Sequence, residues 1–356
     1  LWFRNYLTKR SQYMNINIKG ESFNSCLVEC KCGVPQGSCL GPLLFLFFIN
    51  DLPNATKFFS ILFADDTTFQ LSGENSSDTF LRANIELERA EQWFCANKLT
   101  LNAKKTRVMV FKGKNQHTHY HDLYLQNNII ERVGERCKEN FVRFLGIWID
   151  ESLSFSGHLA KLKSKLNSGI YALATCTKVV PFRVRKMIYH SLFESHLHFG
   201  SIIYGATSTR NLGQIETVQR KAIRVLTRST YNAHTDPLFK KHKILKVNDL
   251  IQLNQSIFVR QFKNGKLPES FIGFFRDIPF NDQKSRDDDY NLQRQSNIGL
   301  LHFPSCQIIR SWNQNHLNLK SEADMTALKE DFIQKKLNSY DEECFKPNCQ
   351  ACRDRT

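Results

Sequence analysis

The hydrophobic pattern of this chain changes character once, and that change limits the folds open to it. As far as Asp150, short β-prone runs broken by Gly, Pro and Asn alternate with three helical stretches; from Ser156 onward apolar residues recur at three- and four-residue steps. Segregation of this kind specifies an α+β chain, an antiparallel sheet with helices on one face followed by an all-helical region. The boundaries expected are 1–150 for the mixed part, 151–235 for a first helical part, 236–340 for a helical extension and 341–356 for a Cys-containing tail.

Size and charge narrow the function. At 356 residues and 41% hydrophobic content the chain is long enough for two or more cores. A formal charge of +15 favours a polyanionic partner, nucleic acid or an anionic membrane surface. The longest apolar run, Leu40–Ile49, contains Gly41 and Pro42 and falls well short of the roughly 20 residues a spanning helix needs, so no membrane protein is expected. Eleven cysteines without a regular framework read as reduced thiols, which implies an intracellular protein, nuclear or cytoplasmic, and not a secreted one. The chain starts at Leu1 without the residue order of a signal peptide, and is expected to be a segment of something longer.

The chemistry-bearing stretch is Phe63-Ala64-Asp65-Asp66, set between the β-prone runs 57–62 and 67–71. Successive side chains within a strand face opposite ways, whereas a hairpin turn lets neighbouring carboxylates lean toward one ion. Hard divalent cations take such oxygens, and phosphoryl transfer uses pairs of them. Asp287-Asp288-Asp289 lacks flanking strands and reads as a solvated loop.

Upstream, 2–12 reads as a helix with Lys9 and Arg10 in its last turn, followed by two antiparallel strands over 13–19 and 25–34 about Gly20. Then Gly33-Val34-Pro35-Gln36-Gly37-Ser38 breaks the pattern and leads into an apolar helix ending near Asn50. These residues, with Leu40-Gly41-Pro42-Leu43-Leu44-Phe45, Ile49-Asn50-Asp51-Leu52 and Phe63-Ala64-Asp65-Asp66-Thr67, resemble successive blocks of the reverse transcriptase of non-LTR retrotransposons, specifically the jockey-like group. The resemblance is densest from Gly33 to Asp150 and diffuse after about Thr230.

The resemblance implies a partial polymerase palm over 1–150 and a thumb after it. It assigns template and nucleotide seating to Gln36, Gly37 and Ser38 with Phe63 and Ala64, and direct Mg2+ ligation to Asp65 with Asp66 more peripheral. Lys105, or Lys104, would lie near the triphosphate and steady or protonate the leaving pyrophosphate. The strand 144–150 resembles the primer-grip block, with Leu145 and Gly146 beside the primer backbone; a bulge at Gly146 is the structural alternative. The implied partners are an RNA template, a DNA primer and a dNTP.

Further expectations come from periodicity. A helix over 76–97 with Ser76 or Ser77 as N-cap buries Phe80, Ala83, Leu87, Ala90 and Phe94. A hairpin turns about Asn127-Asn128. Helices follow from Ser156 with an apolar stripe running from Leu159 to Leu173, from Pro181 through Leu197, and over 211–228, with Lys161, Lys165, Arg220, Lys221, Arg224 and Arg228 offered to nucleic-acid phosphates. Cys344, Cys349 and Cys352 have the spacing of an incomplete Zn2+ site.

One departure limits the activity expected. The family's metal site takes another Asp from a strand several dozen residues before the Pro-Gln-Gly block, and here no Asp precedes Asp51. Two adjacent carboxylates make half of a two-metal clamp. The chain as written is therefore expected not to polymerise, and a catalytically silent nucleic-acid-binding protein that keeps the fold is the alternative.

Overall fold

A computed structural model describes residues 2–31, 33–112, 119–134, 140–274, 308 and 325–340. They are mixed helix and sheet and fall into two compact units, one within Leu1–Thr106 and His117–Ile130, the other within Arg107–Gln116 and Glu131–Thr356.

The first unit opens with α1 (Trp2–Leu7), β1 (Arg10–Gln12), β2 (Asn15–Ile18), β3 (Glu21–Asn24) and β4 (Val28–Cys30). Two expectations change here. The helix ends at Leu7, where Arg10 Nε donates to the Leu7 carbonyl, and Arg10 itself starts a strand. The two expected strands are four, because Lys19 and Gly20 both take positive φ and close a tight turn that pairs β2 with β3, leaving β4 for β1.

Next come α2 (Leu40–Ile49), α3 (Leu52–Ala55), β5 (Phe59–Phe63), β6 (Asp66–Gln70) and α4 (Ser76–Ala96). All five apolar residues expected on α4 are buried. Its cap is Asn75 rather than either serine, since Asn75 has extended backbone and its side chain accepts from the Ser77 N–H at 3.0 Å. Ile49, Leu52, Ala90 and Phe94 form the core, with Phe45, Leu62, Phe69 and Trp93 packed on it, so α2, the β5–β6 hairpin and α4 share one apolar centre. The α4 face also buries Glu86, whose carboxylate accepts from the Lys57 N–H and from Arg89, both at 2.7 Å. Those two partners offset its desolvation and fasten the approach to β5 onto α4.

After β7 (Arg107–Val108), which lies in the second unit, the chain returns to the first for the hairpin β8 (Tyr124–Leu125) and β9 (Asn128–Ile129). Its turn is Gln126-Asn127, both at positive φ, one residue earlier than expected. β10 (Glu131–Arg132) pairs with β7 in parallel.

The continuous strand expected over 144–150 is instead a hairpin of β11 (Val142–Phe144) and β12 (Ile147–Ile149), with Phe144 opposite Ile147. Leu145 and Gly146 both have positive φ, which is the backbone of a two-residue hairpin loop and not of a bulge. Helices α5 (Ser156–Cys176), α6 (Phe182–Tyr189), a π-helical turn (His190–Glu194), α7 (Ser195–His198), α8 (Ser201–Tyr204), α9 (Thr209–Thr227), α10 (Asp236–His242), α11 (Val247–Lys263), a 3-10 turn (Glu269–Phe274) and α12 (Met325–Asn338) complete the second unit. The helix expected through Leu197 is thus interrupted by the π turn, which faces α5 at Gly169. One core runs from Ile147 to Tyr340 and takes in the stripes of α5, α9 and α11. The expected Cys344, Cys349 and Cys352 site and the loop of Asp287, Asp288 and Asp289 lie outside the described residues.

Candidate active site and nucleic-acid interface

The acid pair closes the β5–β6 hairpin. Phe63 pairs with Asp66, so Ala64 and Asp65 form the two-residue loop, and Ala64 takes φ 50°. Left-handed backbone on a non-glycine residue costs about 1–2 kcal/mol. It also turns Asp65 and Asp66 out of the alternation of a strand. Both carboxylates are exposed, and neither accepts a hydrogen bond or an ion pair from any described residue. They stand open to a cation. Below them, Leu62 and Phe69 reach the core and Phe58 stacks on Phe69 at 4.9 Å, while Phe59, Ile61 and Phe63 face outward.

In the same unit, Gly37 takes φ 83°, which suits glycine. Gln36 and Gly37 are exposed at this turn. Ser38 holds it together: its Oγ accepts from Tyr6 Oη at 2.6 Å and from the Gly41 N–H at 3.1 Å, and donates to the Pro35 carbonyl at 2.8 Å. Those bonds leave Ser38 fastening the turn at the head of α2. A Cβ on Gly41 would sit 3.0 Å from Ser38 Oγ and 3.2 Å from the Pro35 carbonyl oxygen. Lys105 is exposed, in a turn where its N–H donates to the carbonyl of Asn102 at 3.0 Å.

The remaining predicted residues belong to the second unit. Gly146, in its hairpin loop with Leu145, lies under the Phe199 ring, 2.9 Å from where a Cβ would be. Lys161 lies over Trp148 at 5.3 Å and Phe141 at 5.7 Å. Lys165 is exposed, with His158 near enough to feel its charge. Arg220 pairs with Glu216 at 2.5 Å, Arg224 Nε donates to the Ala233 carbonyl at 2.9 Å, and Arg228 donates to the Thr177 carbonyl. Lys221 is exposed on α9.

Residues 2–149 match the family described as reverse transcriptase (RNA-dependent DNA polymerase). That stretch contains the turn at Gln36, the acid-pair hairpin and Lys105. Similarity to named relatives extends past this domain. The RNA-directed DNA polymerase from mobile element jockey of Drosophila melanogaster is 22% identical over 261 residues, 70% of this chain and 27% of the relative. The probable RNA-directed DNA polymerase from transposon X-element of the same fly is 23% identical over 232 residues, 63% of this chain and 25% of the relative. A Pol polyprotein from the type-1 retrotransposable element R1 2 of Nasonia vitripennis is 27% identical over 151 residues, 40% of this chain and 35% of the relative. The chain thus spans about a quarter of the length of the first two relatives. No solved structure matches.

The donor set of the reverse transcriptase domain fits a hard divalent cation in part. Asp65 and Asp66 supply oxygens with no competing partner, and no group of three His, Cys, Asp or Glu able to hold a metal occurs among the described residues. No helix among the described residues is long and apolar enough to cross a membrane.

Proposed function

We propose that this chain carries part of the active site of a non-LTR retrotransposon polymerase that extends a DNA primer on an RNA template from dNTPs. The observation that supports it most is the pair of unpartnered carboxylates at the tip of the β5–β6 hairpin, in the domain that matches the family. In this reading residues 1–150 act as the second half of a palm, 151–235 as a thumb, and 236–340 as a helical extension of unassigned task. Asp65 and Asp66 would hold Mg2+, which when bound supplies charge neutralisation at the reacting phosphate. The turn at Gln36 and Gly37, fastened through Ser38, would orient template and nucleotide, with Phe63 and Ala64 beneath them. Exposed Lys105 would stabilise the leaving pyrophosphate, and the Leu145-Gly146 loop would rest on the primer backbone.

With no Asp before Asp51, the purified chain is expected to add no nucleotides to a primer annealed to RNA in the presence of dNTPs and Mg2+. Template-dependent extension by it would show that a further carboxylate is not required. In a polypeptide that includes that carboxylate, Asp65→Asn should lower extension by roughly 10²-fold or more, a loss typical of removing one charge-stabilising group. Undiminished extension would remove Asp65 from the site.

A further inference from the structure

Between Ser152 and Asn248 sixteen Lys and Arg face only three acids, and each acid already has a partner: Glu194 pairs with His190, Glu216 with Arg220 and Asp236 with Lys246. These cations are not spread evenly. Arg228 donates to the Thr177 carbonyl, beside exposed Lys178; Arg185 donates to the Leu226 carbonyl at 2.6 Å and lies close enough to Arg228 for their charges to repel. Lys186 Nζ then donates to the His242 carbonyl at 2.9 Å, and the Phe182 ring packs on His242 at 4.5 Å. The His242 imidazole is held down to about 4 by burial and by Lys241, Lys186 and Arg185, so it adds no charge of its own at neutral pH.

These contacts join the ends of α5, α6, α9 and α10 into one track of positive charge. The C-terminal dipoles of α9 and α10 offset only about half a charge each. At one end of the track stand two side chains with almost nothing over them: Val179, next to Lys178, and Tyr231, three residues after Arg228, each 85% exposed. An apolar platform and a ring beside a line of cations are what an unpaired nucleic-acid strand requires, phosphates along the charges and a base on the ring. A duplex offers no free base face to Tyr231.

We infer that the α6–α9–α10 edge, from Lys178 through Arg228 and Lys186 to Lys241, is a binding surface for single-stranded nucleic acid, with Tyr231 as a stacking platform. It lies wholly within the second unit and does not rest on the polymerase reading. Binding of a labelled single strand of mixed sequence to the full chain, followed by anisotropy over a range of salt, tests it. Replacing Lys178, Lys241 and Arg183, an exposed residue of α6, together by Ala should weaken binding at least tenfold at low salt and reduce the slope of log affinity against log salt by about 2. Tyr231→Ala should weaken it roughly fivefold to tenfold with the slope unchanged, and Tyr231→Phe should bind as the parent does. Arg82→Ala, in the other unit, should change nothing. The inference fails if the triple variant keeps affinity and slope, if Tyr231→Ala binds normally, or if a duplex of equal length competes better than the single strand.

Discussion

Ala64 holds a left-handed backbone where glycine would carry none of the strain, and it sits directly before the acid that the proposed chemistry uses most. Ala64→Gly should relieve about 1–2 kcal/mol of strain and lose part of that to the larger unfolded-state entropy of glycine. A net gain of about 0.5–1 kcal/mol in urea unfolding is expected, and a loss would mean that the left-handed turn is not strained. His158 is a second residue-scale case. It is buried, its Nδ1 accepts from the Trp148 N–H at 3.4 Å, and burial together with Lys165 holds the imidazole down to about 4. As pH falls through 6.5 the unfolded imidazole takes a proton that the folded one refuses until about 4, so stability drops across that window. The full shift corresponds to roughly 3 kcal/mol. His158→Gln should flatten the fall in unfolding midpoint between pH 7 and pH 4 relative to the parent, whereas an unchanged slope would assign the pH dependence to other groups.

At the scale of elements, contacts made by backbone decide more than the stripes do. The apolar faces of α4, α5 and α9 were legible because period 3.6 writes them into the sequence, and Phe80, Leu166 and Ala222 are buried accordingly. Gly169 carried no such signal. A Cβ there would meet the Leu192 carbonyl oxygen at 2.6 Å, because the π turn directs that carbonyl at α5. Gly169→Ala, a favourable change in an isolated helix, should instead destabilise the helical unit by about 1–3 kcal/mol in chemical unfolding. Stabilisation would show that the two segments can separate freely. Turns failed by one or two residues for a related reason. Gln126 and Leu145 take positive φ although neither residue type announces it, so strand pairing and not local preference set the loops.

Across the whole molecule, the closing helix shows what chain order conceals. Tyr340 is buried, its Oη donates to Asp249 Oδ2 at 2.7 Å and accepts from the Lys246 N–H at 2.9 Å, and Leu328, Phe332 and Leu337 enter the same core as Leu159 and Ile223. Tyr340→Phe should cost about 1–3 kcal/mol by leaving Asp249 and the Lys246 N–H short of a partner. If the variant unfolds at the same midpoint as the parent, the closing helix does not stabilise the fold. The cationic excess is also a property of the whole helical unit: the run without Asp or Glu from Ser152 to Phe193 was available in the sequence, but nothing there revealed that Arg185, Arg228 and Lys241 converge.

The sequence by itself determined the mixed class of the chain, the buried faces of its long helices, the acid pair between two strands and the likeness of residues 2–149 to reverse transcriptases. Those features are local or periodic, and a linear string records them. Only the tertiary structure decided that Asp65 and Asp66 stay unpartnered, that Ser38 is spent on holding its turn, that 144–150 folds back on itself, and that cations from three helices form one track. Each of these depends on which atoms from distant positions come within about 3 to 5 Å, and that distance is set by packing rather than by residue type.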